Sequence, residues 1–540
     1  MTRPALHLDT LHQLKASLTG ILGDFLQDKR WFGGKARRIT AIEVEDALPL
    51  ELPDITATIV LVRVDYEVGP AEIYNIPLLH SDRSVPPSTS LAAHSMEVRI
   101  PLADALQDAA ILRGFYEAIE REAVFQGARG DLFASRTSAF PQIALSKDDT
   151  SPPKRITGEQ SNSSTIFGRR SILKLFRRVQ PGGDNPELEV GRFLTERAHF
   201  AHVPPLGGWI EYRRGDDPPA TLGVLQGFVE NEGDAWEFTL KSLADYWRRA
   251  WKVHRQDPKT FQAVSAPNGA GKLPSVALET CGDYLDRAAL LGQRTAQMHR
   301  ALASDSHDPA FAPEPFTESF QRNIENTLRS NAADTFGLLR SQLHVLPAEV
   351  RDDAQRVLAG RNEIQGLIHD ALAKPLSGLR TRIHGDYHLG QVLCTPDDFV
   401  IIDFEGEPGR PIADRVLKRS ALQDVAGMLR SFGYAAFAPL LNTFPGVELP
   451  ESADRPTLAL LSAKWNRWVS QTFLRAYLQE AGADDFLPQN TAETALLLRL
   501  HVLSKALFEI SYELNNRPPW IRIPLAGILQ LLDHPEGVLS

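Results

Sequence analysis

Cysteine is almost missing from this chain: Cys281 and Cys394 are the only two in 540 residues. They stand alone and far apart, which excludes a disulfide framework and any Cys-based zinc spacing. Positive charge is also in deficit, with 58 Lys and Arg against 68 Asp and Glu and a formal net charge of −10. A long nucleic acid is therefore not an expected partner, because neutralising its phosphates needs a basic excess. A local basic patch for one nucleotide stays open. No apolar run approaches the roughly 20 residues that a membrane span needs. Residues 1–30 lack the basic start and continuous apolar core of a signal peptide, so a cytoplasmic location and no membrane partner are expected. There is no G-x-G-x-x-G, no Walker A motif and no internal repeat.

What is present is ordinary for a soluble globular protein, with 43% apolar and 23% charged residues. At 540 residues the chain exceeds one core, and two or three domains are expected. Strand patterns dominate the first part. Residues 57–64 (ATIVLVRV) and 72–79 read as two strands around the turn signal Glu67-Val68-Gly69-Pro70, with another at 39–44. The spacing of Ile111, Phe115, Ala118, Ile119 and Glu122 predicts a helix over 112–125. Residues 146–153 read as an exposed loop. Strands are expected at 154–159, 171–176, 204–212 and 220–229. From Trp236 the pattern is mostly helical, notably at 284–302, 421–437, 458–479 and 491–512, with a strand-like interruption at 379–403 and an irregular stretch at 240–275. Strands followed by helices imply an α+β chain with a β-rich N-terminal part and a helical C-terminal part.

The most informative segment is His384-Gly385-Asp386-Tyr387-His388-Leu389-Gly390-Gln391, followed by Val400-Ile401-Ile402-Asp403-Phe404-Glu405. An Asp, an amide five residues later and a second Asp seventeen residues after the first match the layout of a phosphoryl-transfer site. Asp386 is the candidate base, able to align a hydroxyl and take its proton. Gln391 and Asp403 are candidate Mg²⁺ ligands, because Mg²⁺ takes hard oxygen donors and few carboxylates. A turn role for Gly-Asp, a solvated amide and a strand-end Asp are the bland readings of the same residues. A metal site built from His384 and His388 is disfavoured by Gly385 and Gly390, which break a helix there; His384 reads as a support of the loop.

Lys174, one cation inside the apolar run 171–176, is the candidate phosphate lysine. A helix starting after Asn185-Pro186 offers Glu189 as its first-choice partner and Glu187 as the second. The small polar residues Ser161, Asn162, Ser163 and Ser164 can bring N–H groups and hydroxyls to phosphate oxygens, although a plain hairpin turn fits equally. Gln226 and Phe228 close the last N-terminal strand, where backbone groups could meet an adenine edge or merely form a linker. For a sugar, the helical part offers flat rings and polar groups: Tyr434, Trp465, Trp468, Tyr477 and Tyr512, with Arg430, Lys464, Glu509, Glu513 and Arg517. Trp465 and Trp468, three apart, read more readily as core. Glu405 and Glu407 are candidates for orienting sugar hydroxyls or the metal shell, and His384, Arg430, Tyr434, Lys464 and Tyr512 complete the substrate candidates.

Residues 382–393 (RIHGDYHLGQVL), 402–408 (IDFEGEP), 424–432 (DVAGMLRSF), 29–35 (KRWFGGK) and 505–518 (KALFEISYELNNRP) together resemble bacterial maltokinases, in the aminoglycoside-phosphotransferase branch of the eukaryotic-like kinases. The resemblance runs from about residue 25 to about 530. It implies a bilobal protein-kinase-like fold with an N-terminal cap subdomain at 1–130, an intermediate subdomain completing the N-lobe at 131–232, and a helical C-lobe at 233–540. It implies ATP and Mg²⁺ as cofactors, with ATP between the lobes, and phosphorylation of maltose to maltose 1-phosphate for α-glucan synthesis. It also implies trehalose synthase, as a separate chain, for a partner. A kinase for glucosamine, glucose or an aminoglycoside shares the Asp386, Gln391 and Asp403 layout, and a non-catalytic nucleotide-binding partner of trehalose synthase is a third alternative.

Overall fold

The structure is a computed structural model that describes residues 18, 22–52, 55–80, 90–92, 101–156, 162–180, 182–183, 185–262, 273–407, 409–451 and 453–534. It is an α+β chain: an N-terminal cap and a β-rich N-lobe precede a helical C-lobe. It divides into two compact units, Met1–Glu230 with Pro408–Val416, and Asn231–Glu407 with Leu417–Ser540.

The first unit holds two antiparallel sheets. The cap sheet contains β1 (Ile39–Leu52), β2 (Ile55–Tyr66), β3 (Glu72–His80), β4 (Ser90–Ala92) and β5 (Pro101–Asp104), in the order β1-β2-β3-β5-β4. The second sheet contains β6 (Val124–Gln126), β7 (Asp131–Arg136), β8 (Lys154–Arg155), β9 (Asn162–Phe167), β10 (Ser171–Phe176), β12 (Leu206–Arg213) and β13 (Ala220–Gly227). Its order is β6-β7-β12-β13-β10-β9-β8. The short β11 (Arg178–Val179), directly after β10, crosses back to pair with β3 and so ties the sheets together.

The apolar run in β2 follows from burial on both faces. Ile59 and Leu61 pack in one core with the helix Ala109–Arg121 and the second sheet, while Val60, Val62 and Val64 pack in another with Leu22, Leu26 and Phe32. The helix Ala109–Arg121 starts on Asp108, whose carboxylate accepts from the amides of Ala110 and Ile111. It ends earlier than the periodicity suggested, because Glu122 turns left-handed and residues 124–126 enter the sheet as β6.

In the second unit, the helix Tyr284–Leu302 packs along Arg455–Ala481, and Leu422–Phe437 packs on Thr491–Asn516. The expected irregular stretch at 240–275 is corrected in its first part. Ala235–Gln256 is a helix that buries Leu240, Leu243, Ala244, Trp247 and Ala250, an i, i+3, i+4, i+7, i+10 stripe that the sequence reading missed. Trp465 and Trp468 are buried in this helical core. The strand-like interruption at 379–403 becomes Leu379–Arg380 and the short hairpin of Val392–Cys394 with Phe399–Ile401. Among the described residues no helix is long and apolar enough to cross a membrane.

Candidate active site

In the second unit the hairpin fixes the spacing of the two candidate metal ligands. Val392 pairs with Ile401, and the Ile402 amide donates to the Gln391 carbonyl at 3.0 Å. Gln391 therefore enters the hairpin just where Asp403 leaves it. The Gln391 side-chain amide donates to the Asp403 carboxylate at 2.8 Å. Asp403 sits at φ +69°, a left-handed conformation costly for a side chain other than Gly and held by its surroundings. With the amide nitrogen committed to Asp403, the Gln391 carbonyl oxygen and the Asp403 carboxylate form a hard oxygen pair that suits Mg²⁺. Among the described residues no group of three or more His, Cys, Asp or Glu could hold a metal. A cation here would complete its shell from phosphate and water.

Asp386 lies on the preceding loop, and that loop is tightly held. The buried Asp424 carboxylate accepts from the amides of His384 at 2.7 Å and Gly385 at 2.9 Å, and from His299 Nε2 at 3.1 Å. Burial opposes the charge on Asp424, but these donors and the nearby His384 outweigh it and hold its pKa below the ordinary carboxylate value. His299 Nδ1 lies 2.9 Å from the Tyr477 hydroxyl, which fixes the ring. Tyr387 is tied to Thr295 at 3.0 Å, and the Leu389 amide donates to Ser431 at 3.1 Å. The helix Leu422–Phe437 approaches so closely that a Cβ on Gly427 would sit 2.6 Å from the Tyr387 carbonyl. Gly385, at φ +86°, supplies the turn.

The Asp386 carboxylate is partly exposed. Lys505 Nζ is 3.3 Å from Oδ1, and His388 Nε2 is 3.9 Å from Oδ2. Burial works against the Lys505 charge, but Asp386, Glu509 and Glu407 more than offset it and raise its pKa. His388 moves the other way: burial lowers its pKa, Asp386 opposes that, and Lys505 adds to it. Its Nδ1 accepts from the Gly390 amide at 3.1 Å.

Lys505 is the site residue that sequence reasoning missed. The usable signal was its helix, because Lys505, Phe508, Glu509, Tyr512 and Glu513 recur at i, i+3, i+4, i+7 and i+8 on one face of Thr491–Asn516. Lys505 Nζ lies 5.2 Å from the Phe508 ring centre. Phe508 stacks on Tyr512 at 6.4 Å, and both rings are exposed, by 42% and 45%. Arg517 covers Tyr512 at 5.3 Å and pairs with Glu513 at 2.8 Å.

Several substrate candidates have other work. His384 is buried, its Nε2 donating to the Ile402 carbonyl at 2.9 Å and its Nδ1 accepting from the Asp386 amide at 3.4 Å, so it braces the loop rather than meeting a sugar. Arg430 is committed to Glu509 at 2.6 Å in a buried pair. Tyr434 donates to Glu513 at 3.0 Å. Trp465, Trp468 and Tyr477 are core. Glu405 follows the hairpin, half-buried, and Lys464 is half-buried on Arg455–Ala481, its pKa lowered by burial and then by Arg467.

In the first unit Lys174 sits in the middle of β10, paired with Ser164 of β9 and Val224 of β13. Alternation puts Lys174, Phe176, Val224, Gln226 and Ser164 on one sheet face, the face that Leu188 of the helix Pro186–Glu196 covers. That helix starts as expected, with Asn185 capping the Glu187 amide at 2.9 Å and Pro186 in its first turn. Glu187 is buried and accepts from Gln226 at 2.9 Å, whereas Glu189 is half-exposed. Glu187, the second choice, thus lies on the lysine face beside Gln226. The polar stretch 161–164 is not a loop where it is described. Asn162, Ser163 and Ser164 belong to β9, and Ser163 points to the opposite face and accepts from Arg177 at 2.8 Å. Ser161 lies outside the described residues. The Gln226 side-chain amide donates to Glu187 at 2.9 Å, and the Phe228 backbone amide donates to the Arg170 carbonyl at 2.9 Å, so the Phe228 N–H is not available to an adenine edge.

Comparison with known proteins gives four findings. Residues 25–108 match the maltokinase N-terminal cap domain. A glucosamine kinase of Mycolicibacterium smegmatis is 24% identical over 398 residues, covering 73% of this chain and 83% of that protein. A glucosamine kinase of Streptacidiphilus jiangxiensis is 24% identical over 409 residues, covering 74% and 79%. Among solved structures, a glucosamine kinase in complex with glucosamine, ADP and inorganic phosphate superposes with a TM-score of 0.60 at 19% identity, covering 93% of this chain and 96% of that one. The chain therefore has the fold of these kinases.

Proposed function

We propose that this protein is an ATP-dependent sugar kinase and that its acceptor is maltose, phosphorylated at the anomeric hydroxyl to maltose 1-phosphate. The observation that carries the kinase reading is the loop and hairpin of the second unit, where Asp386 precedes the Gln391–Asp403 oxygen pair and faces Lys505. Asp386 aligns the acceptor hydroxyl and takes its proton as the hydroxyl oxygen bonds to the γ-phosphorus, while the bond to the β-phosphate oxygen breaks and ADP leaves. Lys505 pairs with Asp386 at 3.3 Å and offers N–H groups to the oxygens that gather negative charge. Gln391 and Asp403 would hold Mg²⁺, which when bound neutralises charge on the nucleotide phosphates. Lys174, oriented from the Glu187 side of its sheet, serves the α- and β-phosphates.

Two observations favour maltose. The first is the match of residues 25–108 to the maltokinase cap. The second is the exposed Phe508–Tyr512 stack that continues from Lys505, a flat surface suited to a second sugar ring. A glucosamine acceptor is the second reading, favoured by the relatives and by the bound sugar in the superposed structure. An ADP-release assay across maltose, glucosamine, glucose, trehalose and kanamycin separates them, with phosphorus NMR on the product. Maltose preferred, with an anomeric phosphate, supports the proposal; glucosamine preferred overturns the maltose assignment, and no turnover on any sugar overturns the kinase. Trehalose synthase is the proposed partner, and unchanged elution of both proteins when mixed on size exclusion would count against it.

A further inference from the structure

Arg177 is a fully buried cation three residues beyond Lys174. Its Nη2 reaches Asp104 at the end of β5 at 3.1 Å, its Nε donates to Ser163 of β9 at 2.8 Å, and its guanidinium covers Trp31 at 4.9 Å. Its carbonyl accepts from the Asn75 amide of β3 at 2.8 Å, and the Asn75 side chain donates to the Phe176 carbonyl at 3.3 Å. Three cap residues therefore hold both the end of the lysine strand and the start of the strand beside it. Burial depresses the Arg177 pKa, and Asp104 opposes this. Among the described residues its buried Nη1 has no hydrogen-bond partner. The desolvation of a buried ion pair offsets much of its attraction, so its contribution to global stability is small. Its consequence is better sought in where it holds β9 and β10.

We infer that Arg177 is a positioning residue through which the cap fixes β9 and β10, so that Lys174 meets nucleotide phosphates at a set height. The inference rests on the kinase reading for its link to nucleotide, but the brace itself stands without it. The test is the paired substitution Arg177→Met with Asp104→Asn, which removes both charges together and keeps an acceptor for the Leu106 amide that Asp104 caps at 3.2 Å. Two measurements are made on the full chain. Without nucleotide, amide hydrogen exchange in 162–176 should quicken at least tenfold, while exchange in the helix Tyr284–Leu302 stays as in the wild type. With Mg·ATP, the dissociation constant should rise about tenfold while KM for the sugar stays within twofold. Unchanged exchange in 162–176 overturns the brace whatever the protein's function. Quickened exchange with unchanged nucleotide affinity overturns its role in positioning Lys174. A wild type that binds no Mg·ATP overturns the kinase reading and leaves the exchange result to decide the brace.

Discussion

Replacing Asp424 by Ala should release the loop that carries Asp386. The carboxylate holds three donors, the amides of His384 and Gly385 and the His299 ring, all in a buried setting. A buried donor left without its acceptor costs about 1–3 kcal/mol, and a hydrogen bond to a charged group contributes about 1.5–3 kcal/mol net. Removing the desolvated charge returns part of this, so the local cost should be about 4 kcal/mol, or roughly a thousandfold in the opening equilibrium at 1.4 kcal/mol per tenfold. Hydrogen exchange at the His384 and Gly385 amides reads it directly. Asp424→Asn, which keeps one acceptor oxygen, should lose about half as much. The pH dependence has a definite sign. The folded pKa lies below the unfolded value of about 3.9, so the contribution is present above that pH and lost as pH falls through the folded value. Wild-type protection of both amides in the Ala variant at neutral pH would refute the reasoning.

Three further tests concern ligands. Glu187→Gln should raise KM for ATP about tenfold and Glu189→Gln by less than twofold, because Glu187 is buried beside Gln226 on the lysine face while Glu189 is half-exposed; initial-rate kinetics decide. Tyr512→Ala should raise KM for maltose about fivefold, for a lost stacking contact worth about 1 kcal/mol, with the melting temperature unchanged, whereas Trp465→Ala should cost about 3–5 kcal/mol of stability as a core truncation. Asp403→Asn should raise the Mg²⁺ concentration for half-maximal rate at least tenfold, measured by titrating the metal at fixed ATP.

The candidate catalytic segment was legible because its residues are close in sequence: a loop and a hairpin bring Asp386, Gln391 and Asp403 into one small region, and local spacing records that. The strand 171–176 was equally plain, one cation in an apolar alternating run. Lys505 was not, because it reaches Asp386 from 119 residues away and looks like any surface lysine until the helix is docked. Glu187 and Glu189 are two apart, and only the rotation of their helix against β13 separates them. Asn162, Ser163 and Ser164 read as loop by composition, yet pairing with β10 overrides the weak strand propensity of Ser and Asn. Arg430 and Tyr434 carried the right chemistry for a sugar, but tertiary packing commits them to Glu509 and Glu513. The helix Ala235–Gln256 was hidden by its charged residues, which occupy the outer face of a regular apolar stripe.

The most direct test is turnover by Asp386→Asn, measured beside its affinity for Mg·ATP. General-base removal should lower kcat by about 10²- to 10⁴-fold while the Mg·ATP dissociation constant stays within about threefold of the wild type. A variant that turns over at the wild-type rate would show that the proton leaves the acceptor by another route, and that Asp386 is not the base.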